Sequence, residues 1–509
     1  MRNVNTDVVV VGAGNAGLVS ALSAAESGCN VIVLEAAPYE HRGGNTRFAG
    51  AHFRTPHGGL NAIRDLLYDP RLPILDKVSL APYSEQQYFS DWMQACGNRP
   101  AVNLIQTVIR GTLDTMRWMK RHGVEWEIML DKPYSVEDLI ARRGPDAEPY
   151  PLPPGGAIRS RQEGEGLSAR LFDAVERHPG ISVWYGTPAH RLVVSGSSVR
   201  GVRIRLPNRF CNVLGTVVLA SGGFEANPEM RLKYLGEGWD LVKVRGTRYN
   251  MGTMLTEALR RGAQPVGHWQ GCHASPVDAA APAVGDLNNR KIARYSYPLS
   301  LMVNRHGERF VDEGEDHVWM TYAKTGSAIR RQPGALAYQL FDQQTIHLLE
   351  PRYVTAIPVV ASTIEELSAK LGIPGSTLEQ TVDQFNASTM QDAGLKFDPT
   401  ASNDGVFAHP PGQPPKSNWA LPLNCPPFAA YSATCGITFT FGGISVNTDG
   451  AVIDKEGVPM PGLYAVGEIT GNFFFDNYAG GSGLARGAVF GRIVGKQAAS
   501  RALRRRLDQ

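Results

Sequence analysis

The sequence lacks the residue patterns of several common classes of functional site. Its six cysteines form no C-x-x-C pair and no C-x-x-C-H haem motif, which argues against structural zinc, an iron–sulfur cluster and c-type haem. Scattered thiols of this kind fit a reducing compartment. The 51 Lys and Arg residues nearly cancel the 48 Asp and Glu residues, and the resulting net charge of +3 predicts no nucleic-acid partner.

No hydrophobic run in the sequence is clearly typical of a membrane-spanning helix. Residues 8–25 carry no charge for 18 positions, which is long enough to consider one. Gly12, Gly14 and Gly17 interrupt this run, however, and a single basic residue, Arg2, precedes it. A strand–turn–helix therefore fits the run better than a membrane span or a cleaved signal peptide. We expect a soluble, cytoplasmic protein.

Glycine, by contrast, is abundant: its 55 residues predict loops in which the backbone approaches a ligand closely. The first such loop lies in a βαβ unit of about 30 residues. There, strands at Asp7–Val11 and Val31–Leu34 flank a G-x-G-x-x-G turn and a helix. Such a turn admits a pyrophosphate at the helix N-terminus, and an acid about 20 residues further on binds the ribose hydroxyls. Glu35, 18 residues past Gly17, has the position of that acid.

Further glycine clusters favour FAD over NAD as the dinucleotide. Arg42–Thr46 follows the second strand, and Gly467–Glu468 ends a strand near the C-terminus. Gly480–Leu484 begins the last helix, whose positive dipole end would face the N1–O2 edge of a reduced flavin. The residues that we expect to bind FAD are Gly12, Gly14, Asn15, Ala16, Gly17, Glu35, Ala36, Arg42, Gly43, Gly44, Asn45, Thr46, Ala189, Ala220, Ser221, Gly222, Gly467, Glu468, Gly481, Ser482, Gly483 and Leu484.

The order of these elements predicts a split α/β fold. We expect a Rossmann-like FAD-binding domain assembled from residues 1–265 and 431–509. An α+β cap domain is expected as an insertion at residues 266–430. This region has more aromatic residues and more proline than the two ends, and it contains a predicted helical hairpin between residues 363 and 386.

Six motifs occur in one order along nearly the whole chain, at Val8–Gly17, Glu35, Gly43–Asn45, Ala220–Phe224, Asn304–Phe310 and Pro461–Glu468. In this order they resemble the flavoprotein dehydrogenases of the fumarate reductase and succinate dehydrogenase type. The resemblance implies that the inserted domain is a mobile cap and that the substrate lies between this cap and the flavin. It also implies non-covalent FAD, because the only histidine near the Gly-Gly loop is His41, which precedes the loop. Without a haem or iron–sulfur motif, electrons would leave to a separate acceptor: a membrane-associated protein, a quinone or oxygen.

The sequence departs from that family at the substrate site. Fumarate reductases carry a carboxylate-binding histidine where this chain has Phe439, followed by Thr440. They carry an arginine before the last Gly-Gly pair where this chain has Tyr478. Their proton-donating cap arginine corresponds to His317. These three departures argue against fumarate reduction.

A second branch of the family fits these stretches better. Arg309–Asp316, Thr321–Lys324 and Asn477–Leu484 are similar to FAD-dependent tricarballylate dehydrogenase, which oxidises a saturated tricarboxylate to its alkene. The resemblance implies α,β-dehydrogenation of a small, tricarballylate-like carboxylic acid, with a hydride passing to flavin N5. A protein base must then take the proton from the neighbouring carbon.

The candidate site residues follow from this chemistry. Proton transfer needs a titratable group, and the candidates are His317, Tyr322 and Tyr478. A carboxylate substrate needs fixed cations, and arginine suits carboxylates through its bidentate fork. The candidate substrate contacts are Arg47, Arg54, Arg245 and Arg294 with Phe439 and Thr440, and Arg248 is a further candidate at the reacting centre.

Three other functions stay open from the sequence. A flavin-dependent C=C reductase would use the same site in the opposite direction. A ketosteroid-type 1,2-dehydrogenase would need an apolar site with tyrosine acids, which Phe439, Phe441 and Phe473–Phe475 permit. A non-catalytic flavin-binding protein would explain the three departures at the reacting centre as loss of the site.

Overall fold

The computed structural model describes residues 2–132, 134–142, 147–206, 209–285, 291–391, 397–398 and 405–507. The strands are β1 Arg2–Val11, β2 Val31–Leu34, β3 Val78–Leu80, β4 Trp126–Ile128, β5 Tyr150–Leu152, β6 Ile158–Ser160, β7 Ile181–Trp184, β8 Ala189–Ser195, β9 Ser198–Leu206, β10 Arg209–Leu219, β11 Lys243–Val244, β12 Pro265–Val266, β13 Cys272–Asp278, β14 Leu301–Asn304, β15 Leu336–Phe341, β16 Val359–Ala361, β17 Thr389–Gln391, β18 Val406–Ala408, β19 Phe428–Thr440, β20 Gly443–Ile444, β21 Ala451–Ile453 and β22 Pro459–Ala465. The helices are α1 Asn15–Glu26, α2 Leu60–Ile63, α3 Glu85–Ala95, α4 Val102–Arg121, α5 Val136–Arg142, α6 Glu163–Arg177, α7 Pro228–Leu235, α8 Thr253–Arg260, α9 Val318–Arg330, α10 Ile364–Leu371, α11 Gly375–Ser388 and α12 Ser482–Leu507.

A mostly parallel sheet forms from short, unbroken runs of β-branched and aliphatic residues. The last four residues of β1 and all of β2 are buried, as expected for strands that helices cover on both faces. The strand order is β21-β22-β10-β1-β2-β7, with β9 paired to β10 and β8 paired to β9. The five strands from β22 to β7 are parallel. Their carboxyl ends therefore meet at one edge, where open α/β sheets bind ligands.

A second sheet is organised around the long strand β19. Strands β11, β13, β15 and β16 pair with β19, and β14 pairs with β15. Helix α9 packs on this sheet closely, because a Cβ atom at Gly326 would lie 2.6 Å from the backbone of Ala274. The close approach brings one face of α9 beside β13 and the carboxyl end of β19.

Helices from the two ends of the chain pack against each other and against the central strands of the first sheet. In α12, Cβ atoms at Gly491 and Gly495 would lie 2.9 Å from Val19 and 2.5 Å from the Ser20 carbonyl oxygen. Only glycine therefore allows α12 to approach α1 this closely. The Asn15 side chain also donates a hydrogen bond to the Leu484 carbonyl, at 3.0 Å. The N-termini of both helices consequently lie side by side.

The structure agrees with the sequence in most element positions, while the predicted domain limits stay a prediction. The predicted hairpin between 363 and 386 corresponds to α10 and α11. Strand β11 of the second sheet precedes residue 266, however, and β19 runs across the predicted limit at 430/431. Within the described ranges, no helix has the length and apolar character that crossing a membrane requires. The cytoplasmic location also stays a prediction.

Candidate functional site

A cavity of about 440 Å³ lies where the carboxyl ends of the first sheet meet the N-termini of α1 and α12 and the second sheet. One end of the cavity is lined by glycine-rich backbone, and the other end by aromatic and cationic side chains. The two ends therefore differ in the chemical groups that they present to a ligand.

The glycine-rich end has the features of a dinucleotide cradle. Gly12 has a φ of 104°, and a Cβ atom there would lie 2.4 Å from the Ala220 carbonyl oxygen, so glycine is required. Gly14 caps α1 without a side-chain hydrogen bond, which leaves the helix N-terminus open toward the cavity. The N-terminus of α1 attracts negative charge, such as that of a pyrophosphate.

Glu35 lies at the same end, as the sequence predicts for the acid that binds a ribose. Its carboxylate accepts hydrogen bonds from the backbone N–H groups of Ala13, at 3.2 Å, and Ala37, at 2.9 Å. These bonds fix the carboxylate at the end of β2, where it lines the cavity. Burial raises the pKa of Glu35, which favours hydrogen bonding to hydroxyl groups over pairing with a cation.

The structure brings most of the predicted FAD residues to the cavity. All of them line it except Gly17, Arg42, Gly43 and Ser482. Gly17 packs against the turn, since a Cβ atom there would lie 2.0 Å from the carbonyl oxygen of the first motif glycine. The Arg42 guanidinium lies 3.7 Å from the ring centroid of Tyr39, which removes it from the cradle. The residues that do line the cavity include the glycine turn, the N-terminus of α1 and the acid that a dinucleotide needs, and their contacts with FAD stay a prediction.

Two carboxyl groups lie together behind the cradle. The Asn250 side chain donates hydrogen bonds to Glu225, at 2.5 Å, and to Glu468, at 3.4 Å, and Asn45 also donates to Glu225, at 2.6 Å. Glu225 is completely buried. Burial and the adjacent Glu468 carboxylate hold the pKa of Glu225 well above its ordinary value. The neutral form of Glu225 is therefore favoured beside the Glu468 carboxylate.

Replacing Glu225 with glutamine is expected to stabilise the flavin-free protein at alkaline pH. A carboxyl whose pKa is raised on folding contributes stability at low pH, and that contribution is lost as pH rises from about 4.5 through the raised pKa. Each unit of elevation corresponds to about 1.4 kcal/mol. In urea unfolding, Glu225→Gln should have a higher free energy of unfolding than the wild type at pH 8 but not at pH 5. An equal difference at both pH values, or the same gain in the exposed-site control Glu456→Gln, would contradict this assignment.

The other end of the cavity contains a cluster of aromatic rings. Tyr322, from α9, lies with its ring centroid 4.8 Å from that of His273, from β13. The Tyr478 ring centroid lies 5.3 Å from those of His273 and Phe439. All four side chains line the cavity. Two of the predicted proton-transfer residues, Tyr322 and Tyr478, thus lie together with Phe439 at the predicted substrate position.

The tyrosine hydroxyls of this cluster have unequal surroundings. The Tyr478 hydroxyl oxygen accepts hydrogen bonds from the backbone N–H groups of Gly481, at 2.9 Å, and Gly483, at 3.3 Å. Burial raises the pKa of Tyr478, and these donors oppose the effect. Burial and the adjacent Tyr478 phenol hold the pKa of Tyr322 well above its ordinary value. A negative charge on the pair is therefore better stabilised on the Tyr478 oxygen.

His273 adds a neutral hydrogen-bonding group to the cluster. Burial, reinforced by the charge of Arg245, lowers the pKa of His273 to about 3. Its Nδ1 atom is buried without a hydrogen-bond partner among the described residues. An uncharged imidazole with an unsatisfied nitrogen is suited to bind a polar group of a ligand.

Arg245 is a buried cation of the cavity wall with no acidic partner among the residues that the structure describes. Its side chain is 5% exposed and lines the cavity. It makes only long hydrogen bonds among the described residues, at 3.4 Å to the Thr438 hydroxyl and 3.4 Å to the Phe48 carbonyl. Its Nε atom has no partner there. Because a buried unpaired charge is costly, a ligand anion is expected to balance this arginine.

Two of the other predicted arginines are occupied by structural ion pairs. Arg54 donates to the Asp91 carboxylate, at 2.9 Å, and to the Gly480 carbonyl, at 2.8 Å. Arg294 pairs with the Asp278 carboxylate at 2.6 Å and is completely buried. Neither residue lines the cavity. The structure therefore does not support their predicted role as substrate contacts.

Three further candidates also lie away from the cavity lining. Arg248 is exposed, so the structure does not place it at the reacting centre. Arg47 donates to the Glu40 carbonyl, at 2.6 Å, on the outer side of the Gly-Gly loop. Thr440 is buried, and its backbone N–H donates to Glu468 at 2.9 Å, which makes it part of the cradle's support and not a substrate contact.

His317 does not reach the large cavity either. It caps α9 and lines a separate cavity of about 10 Å³. Burial and the nearby Arg54 lower the pKa of His317 to about 4, so it is neutral at pH 7. Of the predicted proton-transfer residues, only Tyr322 and Tyr478 are in contact with the cavity.

Sequence reasoning missed several residues at the aromatic and cationic end. Trp319 had a usable signal, since it precedes Tyr322 by three positions and therefore shares its helix face. The others belong to no motif and come together only through the fold. The missed cavity-lining residues are His52, Lys132, Tyr249, Asn250, His273, Tyr295, Trp319, Arg352 and Arg486.

Comparison with known proteins agrees with this geometry. A family model described as FAD binding domain matches residues 7–484. A probable fumarate reductase from Shewanella frigidimarina is 26% identical over 506 residues, which cover 98% of this chain and 75% of that protein. A 3-oxosteroid 1-dehydrogenase from Mycobacterium tuberculosis is 25% identical over 579 residues, which cover 98% and 99% of the two chains.

Other similar proteins are longer than this chain. It spans about half of an NADH:fumarate oxidoreductase from Klebsiella pneumoniae, with 27% identity over 503 residues that cover 97% of this chain and 48% of that protein. The open conformation of a flavocytochrome c3 fumarate reductase matches with a TM-score of 0.70 at 23% identity, covering 99% of this chain and 79% of the other. The predicted fold class and FAD as cofactor are confirmed, as is the class of FAD-dependent oxidoreductases acting on carbon–carbon bonds.

Proposed function

The chain belongs to the FAD binding domain family, and on that premise we propose that it dehydrogenates a small carboxylic acid between its α and β carbons. The observation that carries the proposal is Arg245, a buried guanidinium in the cavity wall that has no acidic partner within the described part of the chain. A carboxylate substrate would supply the missing anion and accept both prongs of the guanidinium. Tricarballylate stays the predicted example of such a substrate.

The tyrosine pair provides the proton transfer that this reaction needs. Bound FAD would supply a hydride acceptor, the flavin N5 atom. Once the pair has lost one proton, Tyr322 would take the proton from the α carbon while it passes its own hydroxyl proton to the Tyr478 phenolate, whose charge the N–H groups of Gly481 and Gly483 stabilise. Arg245 would hold the substrate carboxylate and thereby also favour charge that develops on its oxygens.

The surrounding rings orient the substrate and exclude water. Phe439, Tyr295 and Trp319 line the cavity around the tyrosine pair. Their apolar faces strengthen the electrostatic interactions of Arg245 by lowering the local dielectric. The electrons then leave to a separate acceptor, which we propose to be a membrane-associated protein, a quinone or oxygen.

A carbonyl substrate is the second candidate. Two backbone N–H groups and two tyrosines around one point suit a ketone whose neighbouring carbon loses a proton, and one relative is by name a 3-oxosteroid 1-dehydrogenase. A wholly apolar steroid, however, would leave the cavity-lining Arg245 without an anion from the ligand. This charge therefore favours an acid, including a keto acid, over a steroid. The reverse reaction, reduction of C=C, would use the same pair in its protonated form.

Anaerobic mixing of the FAD-loaded protein with a substrate panel tests this proposal. The panel contains tricarballylate, glutarate, 4-oxocyclohexanecarboxylate, its methyl ester and a 3-oxosteroid. We expect bleaching of the flavin band near about 450 nm with at least one of the acids, and a weaker response to the ester than to its parent acid. Bleaching by the steroid alone would select the second candidate. No bleaching by any compound, combined with oxidation of reduced protein by unsaturated acids, would select the reductase.

A further inference from the structure

A second group of cations lines the same cavity on the far side of Tyr295 and Trp319. Lys132 and Arg352 are 4% and 3% exposed, and both line the cavity. His52 lines it beside them, with its ring centroid 4.4 Å from that of Trp319. We call Lys132 and Arg352, with their common partner Glu163, the distal cluster.

One carboxylate serves both cations of the distal cluster. Glu163 forms an ion pair with Arg352 at 2.8 Å and a second ion pair with Lys132. The backbone of Glu163 has a φ of 57°, a left-handed conformation that costs free energy for a residue with a side chain. The fold thus holds one acid beneath two cations, and positive charge remains on the cavity wall.

The neighbouring charged groups do not cancel this excess at the wall. Arg159 lies 3.8 Å from Glu163, but it is paired with Glu127 and Asp131, which are 18% and 39% exposed and face solvent. Glu350 lies close by and burial raises its pKa, but like Glu127 and Asp131 it does not line the cavity. Burial lowers the pKa of Lys132 to about 8, which leaves it mainly protonated at neutral pH.

Two nitrogen atoms at the distal cluster also lack acceptors. Arg352 Nε and His52 Nε2 are buried without a hydrogen-bond partner among the described residues. A buried donor without a partner costs about 1–3 kcal/mol. Both the charge and the unsatisfied nitrogens therefore point to an anionic ligand at this position.

We propose that Lys132 and Arg352 form a second anion site, which binds an acidic group of the substrate away from the reacting carbons. The inference rests on the proposed function, in which Arg245 binds the first carboxylate. The Cζ atoms of Arg245 and Arg352 lie 5.8 and 6.0 Å from the Tyr295 ring centroid, so one small molecule can reach both. The substrate class is then that of di- and tricarboxylic acids, and monocarboxylic acids bind less tightly.

Titration of the FAD-loaded protein with glutarate and with monomethyl glutarate tests this inference, with binding followed by calorimetry and by the flavin spectrum. The ratio of the two Kd values measures the contribution of the second acid group. We expect the wild type to prefer the diacid at least about tenfold at pH 6.5. Arg352→Met should abolish the preference and leave the monoester Kd within about twofold, while the control Arg110→Met, at a side chain that is 68% exposed, changes neither value.

Glu163→Gln is expected to change the affinity for the diacid in the opposite direction to Arg352→Met. Damage to the fold cannot produce such a gain in affinity. Removing the shared carboxylate frees both cations, so the diacid should bind more tightly than to the wild type at pH 6.5, when Lys132 is protonated. Equal binding of both ligands by the wild type, or equal weakening of both by Arg352→Met, would overturn the inference. A monoester Kd that does not change in Arg245→Met would instead overturn the carboxylate site of the proposed function, so the two failures are distinguishable.

Discussion

Tyr322→Phe is expected to slow anaerobic flavin reduction by the substrate by about 10³-fold, within the range that loss of a general base causes. The substitution removes one oxygen atom from a ring that is otherwise held by His273, Tyr295 and Trp319. The aromatic packing therefore persists, and the substrate Kd should change by less than about threefold. Stopped-flow measurement of flavin bleaching separates the two quantities.

The pH dependence of the same measurement has a defined sign. Oxidation needs a tyrosine pair that has lost a proton, and burial holds the pKa of Tyr322 well above its ordinary value. The rate of flavin reduction should therefore rise with pH throughout the neutral range. Tyr478→Phe removes the oxygen that the N–H groups of Gly481 and Gly483 stabilise, so the rise should move to higher pH.

Tyr295→Phe is the matched control for these variants. Tyr295 lines the same cavity, but its hydroxyl donates to the Ser275 hydroxyl at 3.4 Å, and the proposed reaction assigns it no proton transfer. We expect at least half of the wild-type rate and an unchanged pH profile. A Tyr322→Phe variant that keeps more than a tenth of the wild-type rate would show that Tyr322 is not the base.

The cofactor cradle could be predicted because its residues are local in sequence. The turn at Gly12–Gly17 and the acid Glu35 lie within one βαβ unit, and each has a defined role at a defined spacing. The cluster Gly480–Leu484 was recognisable because it begins a helix. In each case, the chain itself fixes the geometry, and no distant partner is needed.

The substrate end was predicted only in part, because long-range contacts decide it. Arg54, Arg245 and Arg294 look alike in the sequence, and only distant residues tell them apart. Asp91 pairs with Arg54 and Asp278 pairs with Arg294, while no acid in the described ranges pairs with Arg245. Burial and ion pairing between distant segments, which no local pattern encodes, thus decide which arginine is available.

His273, Lys132 and Arg352 were missed for the same physical reason. His273 lies within the buried strand β13 and is brought to the site by pairing with Phe439 in β19. Lys132 and Arg352 are more than 200 residues apart and meet only through Glu163. Sheet pairing and a shared buried carboxylate bring these residues together at this end of the cavity. Their spacing in the sequence therefore does not predict that they meet.

Arg245→Met is expected to raise the Kd of carboxylic acid substrates by about 10²- to 10³-fold. Removing one partner of a buried, hydrogen-bonded charge pair costs about 2–5 kcal/mol, and no second cation lies at this position to replace it. Arg245→Lys restores the charge without the bidentate fork and should recover only part of the affinity. Arg248→Met, three residues along the chain and exposed, is the matched control and should bind like the wild type.

The free energy of unfolding of substrate-free Arg245→Met distinguishes a ligand-binding role of Arg245 from a structural one. If Arg245 is a ligand-binding group, the empty site carries an uncompensated buried charge, and its removal should raise the free energy of unfolding or leave it unchanged. If Arg245 instead supports the fold through Thr438 and Phe48, the same variant loses stability while substrate Kd changes little. Urea unfolding at pH 7 and calorimetric titration therefore distinguish the two roles, because a binding residue weakens the ligand and not the protein.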